Sequence, residues 1–141
     1  MRLDVREAGA LIERAFAARE RAYAPYSHFK VGAAVLAASG QVYAGANVEN
    51  ASYGATMCAE RCAVFAAVTA GERRLRAIAL CGGREAEGVT DYCPPCGLCR
   101  QVLREFCEAK SFEVIVAKSA TDYRVFTLEE LLPQSFGPEN L

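Results

Sequence analysis

From Asp4 to about Arg21 the apolar positions Val5, Ala8, Leu11, Ile12, Ala15 and Phe16 recur every three or four residues, the period of a helix with one buried face. Ala24-Pro25-Tyr26-Ser27-His28 breaks that pattern, and Phe29 to Ala38 reads as a mostly apolar strand. Ser39-Gly40 makes a turn and Gln41 to Ala46 returns, which predicts a hairpin. Cys58 to Ala70 is Ala-rich, Gly-free and stopped by Gly71, as a buried helix would be. Leu75 to Cys81 is a third strand, ended by Gly82-Gly83. Pro94-Pro95 cannot sit inside a strand but can precede a helix, and Gly97 to Glu108 carries Leu98, Val102, Leu103 and Phe106 at helical spacing. Ser111 to Lys118 and Tyr123 to Phe126 supply the fourth and fifth strands. A helical turn over Leu128 to Leu132 precedes a polar tail.

Helix, two strands, helix, strand, helix, strand, strand is the order of a mixed five-stranded sheet with helices on both faces: an α/β fold built as a three-layer α/β/α sandwich. Strands joined through a helix should be parallel and hairpin strands antiparallel. The length, 141 residues, is that of one domain, and no repeat or linker divides residues 1–141.

Composition narrows the function. Sixteen basic against seventeen acidic side chains leave a net charge of −1, and the basic residues are scattered, so no stripe exists to neutralise a polynucleotide. No apolar run is long enough to span a bilayer, and charges interrupt the start of the chain, so a cytoplasmic location is expected. Seven cysteines, an odd number, turn attention from a disulfide framework to metal or thiol chemistry.

Cys96-Gly97-Leu98-Cys99 at a helix start can direct two sulfurs at one ion, or it can be a redox pair; alone it leaves the two readings even. Cys58, at the start of another helix, changes the weighting by offering a third ligand. Three protein ligands leave a tetrahedral zinc one open position, which means chemistry rather than stapling. Glu60, two residues on, is the candidate base beside the metal's water; its bland alternative is an exposed first-turn glutamate favoured by the helix dipole.

Cys-Ala-Glu at Cys58 and Pro-Cys-x-x-Cys about 38 residues later form the signature of zinc deaminases that act on cytosine or adenine. With PYSHFKVGAAVL from Pro25, GANVENASYG from Gly45, CAER from Cys58, PCGLCRQVLREF from Pro95 and LEELLPQSFGP from Leu128, the chain resembles the cytidine deaminases of the small, three-cysteine, homotetrameric type along nearly its whole length. The resemblance implies a cytidine deaminase-like fold, one zinc ion per subunit on Cys58, Cys96 and Cys99, and Glu60 as proton shuttle. It further implies that Asn47 and Glu49 bond the ribose hydroxyls, that Phe29 packs on the base and that the Ala59 backbone N–H meets the base carbonyl. Tyr53 and Phe136, and with them Tyr26, resemble residues that reach a neighbouring subunit's pocket. The implied activity is hydrolytic deamination of cytidine and 2'-deoxycytidine, with release of ammonia, in pyrimidine salvage.

Part of this stands on the residues themselves. Asn47 and Glu49 share strand parity and could project from one edge, although a turn-satisfying role is the plain alternative; for Phe29, Tyr26, Tyr53 and Phe136 it is ordinary packing. Three thiolates on Zn²⁺ carry a formal charge of −1, so a guanidinium donating to the sulfurs would draw off the excess; Arg61 is placed to do so, a surface ion pair being the alternative. His28, the one histidine, is expected to face solvent or the core rather than a metal. Cys93 creates a rival CxxC and is expected to be a bystander before a redox-sensitive neighbour or a competing ligand. Cys62, Cys81 and Cys107 are expected to be buried and inert. Three rivals remain: a deaminase of another aminopyrimidine, such as a blasticidin S-type enzyme; a non-catalytic module whose four thiolates include Cys93; and a CxxC redox protein.

Overall fold

The structure, a computed structural model, describes residues 2–141. Helix α1 (Val5–Arg19) begins where the Asp4 carboxylate accepts a hydrogen bond from the Glu7 N–H and the Glu7 carboxylate accepts one from the Asp4 N–H, a reciprocal cap that satisfies two otherwise free donors. Strands β1 (Phe29–Ala37) and β2 (Val42–Ala46) form the expected antiparallel hairpin. Helix α2 (Ala59–Thr69), strand β3 (Leu75–Arg84), helix α3 (Gly97–Glu105), strands β4 (Glu113–Ala117) and β5 (Tyr123–Thr127) and the short helix α4 (Leu128–Leu131) follow. Two 3₁₀ turns, Tyr53–Ala55 and Pro138–Asn140, fall in segments read from the sequence as loop and polar tail.

The sheet order is β2-β1-β3-β4-β5. β3 and β4, joined through α3, are parallel; the other neighbours are antiparallel. Alternation along β3 sorts the two cores. Ala77, Ala79 and Cys81 face α1 together with Ala34, Ile115 and Ala117, while Ile78 and Leu80 join Val35, Val64, Leu103, Phe112 and Val116 on the opposite face under α2 and α3.

The α1 face is lined by small residues, so the helix backbone lies directly on the sheet. A Cβ built on Gly32 would stand 2.0 Å from the Ala15 carbonyl oxygen and 2.5 Å from the Arg19 nitrogen. Gly32→Ala should therefore destabilise the protein by about 2–3 kcal/mol, the upper part of the range for overpacked cores, read as a lower denaturation midpoint. An unchanged midpoint would show that α1 can lift without cost. At the end of α1, Arg19 is buried and donates to the carbonyls of Lys30, Gly83 and Arg84, so its charge is matched by strand-end acceptors.

β3 runs through Gly82-Gly83, where the sequence reading ended it. The two glycines stay paired with Val31 and Lys30, and they are glycines for lack of room. A Cβ on Gly82 would meet Cys93 Sγ at 2.8 Å and the Phe29 ring at 3.1 Å; one on Gly83 would meet the Gly88 carbonyl oxygen at 2.1 Å. The carboxyl end of β3 thus admits the loop that leads to α3.

Candidate active site

Cys58 is the N-cap of α2, and Cys96 is the N-cap of α3. Both helices start there because the chain leaves an extended segment, and in α3 because Pro94-Pro95 cannot be helix interior. Gly45 on β2 sets how closely α2 approaches: its built Cβ would lie 2.5 Å from the Ala63 nitrogen and 2.7 Å from the Ala59 oxygen. The two helix starts meet, with Cys58 Sγ 3.9 Å from Cys96 Sγ and Cys96 Sγ 3.4 Å from Cys99 Sγ. All three sulfurs lie within 4.8 Å of one another.

That triangle fits zinc. Tetrahedral bonds of 2.3 Å set sulfurs about 3.8 Å apart, and the positive ends of two helices favour thiolates at this point. Among the described residues the cluster consists of these three cysteines; Cys93 is outside it, which removes the ground for a closed four-thiolate module. All seven cysteines are free. Cys93 packs against Gly82, half-buried, and burial pushes its thiol up to about 11.

Arg61, one turn into α2, donates from Nη2 to Cys58 Sγ at 3.3 Å; its buried Nε has no partner among the described residues. A thiol hydrogen bond from Cys99, helped by Arg61 against the cost of burial, holds the Cys58 thiol down at about 5, while the same contact raises Cys99. Glu60 differs from its bland alternative: only 4% exposed, it is no solvated first-turn glutamate. Burial pushes its carboxyl up to about 7, with the nearby negative charge of Cys58 adding to the rise and its own backbone N–H opposing it. A buried carboxyl near neutrality can both accept and return a proton.

The Asn47–Glu49 segment is carried to this centre by backbone pairing. Val48 bridges Met57, the residue before Cys58, and also Tyr23. Asn47, 9% exposed, turns its side chain to β1, where Oδ1 accepts from the Val31 N–H at 2.9 Å and Nδ2 donates to the Phe29 carbonyl at 2.8 Å. One amide hydrogen and one acceptor lone pair remain for a ligand. Glu49 lines a cavity of about 360 Å³ with Tyr26, Ser27, Tyr53 and Thr56. Phe29 stands at the start of β1, partly exposed, its ring edge beside Gly82 and Cys93. The Ala59 N–H, at the first position of α2, has no partner within the helix.

Tyr53 and Phe136 are 75% and 58% exposed. Tyr53 packs on Tyr26, ring centroids 5.8 Å apart, whereas Phe136 lies along α3, its carbonyl accepting from Gln101 Nε2. Phe136 does not line its own chain's cavity. His28 faces solvent and pairs with Glu85 at 3.8 Å. Cys81 and Cys107 are buried as expected, their thiols raised to about 11 and about 12 by burial. Cys62 corrects the sequence reading: it is half-buried, because Ala59, Ala63, Val64 and Ala67 occupy the inward face of α2 and leave Cys62 at its rim beside Gly45. Sequence reasoning also missed Ser27, whose hydroxyl bonds Glu49; no pattern along the chain marked it.

Comparison with known proteins agrees with this geometry. Residues 6–116 match the model of the cytidine and deoxycytidylate deaminase zinc-binding region. The chain is 47% identical over 131 residues to a cytidine deaminase of Halalkalibacterium halodurans, covering 93% of this chain and 95% of that one. It is 45% identical to one of Sporosarcina psychrophila, covering 93% and 92%. Among solved structures, a cytidine deaminase from Burkholderia pseudomallei is similar with a TM-score of 0.81 at 49% identity, covering 90% of this chain and 97% of that one. One from Mycobacterium tuberculosis gives 0.76 at 41%, covering 91% and 95%. The buried carboxyl, the sulfur triangle on two helix starts and the family match over most of the chain lead to one conclusion: this chain belongs to the cytidine and deoxycytidylate deaminase family.

Proposed function

We infer that this protein is a zinc-dependent hydrolase that converts cytidine to uridine, and 2'-deoxycytidine to 2'-deoxyuridine, with release of ammonia. The observation that carries the reading is the triangle of Cys58, Cys96 and Cys99 with the buried Glu60 two residues along α2. Cys58, Cys96 and Cys99 would hold zinc, which would supply a Lewis acid able to make water acidic near neutral pH. Glu60 takes one proton from the attacking water and places it on N3 of the ring, then takes the second from the hydroxyl formed at C4 and gives it to the 4-amino nitrogen, which departs as ammonia as the C4 carbonyl forms. Phe29 packs on the base, the Ala59 N–H donates to its carbonyl, and Asn47 and Glu49 hold the sugar.

The −1 charge of three thiolates on zinc would oppose ionisation of the water, and the Arg61 hydrogen bond to Cys58 offsets it. Arg61→Ala should retain zinc but turn over roughly 10–100-fold more slowly, the usual cost of losing a partner to a metal ligand. Equal activity at full zinc content would remove this role.

The exposed aromatic rings of Tyr53 and Phe136 support a homotetramer in which each pocket takes residues from a neighbour. A monomer at working concentration with full activity would contradict it. We take residues 1–141 as one catalytic domain, acting in the cytoplasm on pyrimidine nucleosides being reclaimed; among the described residues no helix is long and apolar enough to cross a membrane. An acceptor at Glu49 favours a nucleoside over the blasticidin S-type reading. The direct test mixes purified protein with cytidine and follows loss of the cytosine absorbance. Turnover that a zinc chelator abolishes is expected; stoichiometric zinc without deamination would overturn the reading.

A further inference from the structure

We propose that Ser27 is a positioning residue whose hydroxyl ties the Glu49 carboxylate to the Phe29 backbone and so sets how the site selects substrates by their sugar hydroxyls. This rests on the reading of Glu49 as a sugar acceptor and deepens it. Glu49 Oε1 accepts from the backbone N–H groups of Tyr26 at 2.9 Å and Ser27 at 3.1 Å, and Oε2 accepts from the Ser27 hydroxyl. The same hydroxyl oxygen accepts from the Phe29 N–H at 3.0 Å. One side chain therefore bridges the group assigned to the sugar and the residue assigned to the base.

Two consequences follow from counting acceptors. An ionised carboxylate offers about four acceptor positions, and three donors already occupy Glu49, so it is left with one for a ligand. The Ser27 hydroxyl holds the Glu49 carboxyl below its ordinary value, so the position left is acceptor-only and calls for a hydroxyl donor. Glu49 thus serves one sugar hydroxyl, and its aim depends on the Ser27 contact. The turn itself does not depend on it. His28 adopts φ +58°, and its N–H donates to the Ala24 carbonyl at 3.0 Å while its carbonyl accepts from the Glu85 N–H at 2.7 Å. The backbone of the turn is pinned on both sides, so removing the exposed hydroxyl leaves the fold intact.

The test compares cytidine with 2',3'-dideoxycytidine on zinc-loaded wild type, Ser27→Ala, Ser27→Thr and Glu49→Ala, with zinc content measured for each. Ser27→Ala is expected to raise KM for cytidine roughly tenfold with a much smaller effect on kcat, the scale of one hydrogen bond to a charged group. The rise on the dideoxy substrate should be several-fold smaller, and Ser27→Thr, which restores the hydroxyl, should recover most of the loss. If Glu49→Ala impairs both substrates equally, the reading of Glu49 as a sugar acceptor falls. If Glu49→Ala is selective while Ser27→Ala impairs both equally or neither, or Thr fails to rescue, the Ser27 proposal alone falls.

Discussion

Glu60→Gln is expected to lower kcat for cytidine by roughly 10²- to 10⁴-fold, the contribution of a positioned proton carrier, with zinc content and nucleoside affinity close to those of the wild type. The amide keeps the shape of the side chain but cannot take a proton from water or deliver one to N3 and the amino group. Glu60 is 4% exposed, and burial already raises its carboxyl to about 7, so the neutral side chain is no worse accommodated than the charged one. The denaturation midpoint should therefore hold or rise. Substantial activity in a variant of confirmed sequence would show that another group moves the proton.

Cys99→Ala should have the larger effect, abolishing activity and bringing zinc from one per chain toward none. Cys99 is wholly buried at the start of α3, with its sulfur 3.4 Å from that of Cys96; without it two sulfurs face a position that needs three. What is lost is the activation that brings the pKa of water from 15.7 to about 7 at such centres. Cys93→Ala is the matched control, since Cys93 lies outside the triangle and packs against Gly82. It should keep one zinc per chain and most of its activity. Loss of zinc from Cys93→Ala, or retention by Cys99→Ala, would redraw the ligand set.

Much of the fold was legible because the period of the apolar residues reports which face is buried. The hairpin of β1 and β2, the crossover through α3 and the parallel pairing of β3 with β4 follow from that period and from the punctuating Gly and Pro. Element ends were less so. The sequence predicts that β3 ends at Gly82-Gly83; in the fold the strand runs through them, and those two positions are glycine because Cys93, Phe29 and the Gly88 backbone press on them. Arg19, in the last turn of α1, is buried against three carbonyls of β1 and β3, a placement that no sequence spacing indicates.

The site divides in the same way. Spacing within each motif, read with the resemblance to the zinc deaminases, pointed to Cys58, Glu60, Cys96, Cys99 and Arg61, since residues two to four apart on one helix have fixed relations whatever surrounds them. It could not announce that Glu60 would be buried, that Cys62 would stay half-exposed at the rim of α2, or that the Asn47 amide would be spent largely on the backbone of β1. Those depend on which elements cover the residue.

By itself, then, the sequence determined the layers through local period, and its motif spacing together with the resemblance to zinc deaminases pointed to the sulfur donors and the chemistry they permit. Only the tertiary structure decided that two helix starts meet, that Cys93 stays apart from the sulfur triangle, and that Ser27 reaches Glu49 across 22 positions of chain. The approach of α1 and α2 to the sheet is set by close packing of backbone on backbone at Gly32 and Gly45, and no pattern of residue types along a chain specifies a gap of a few ångströms between segments far apart in it.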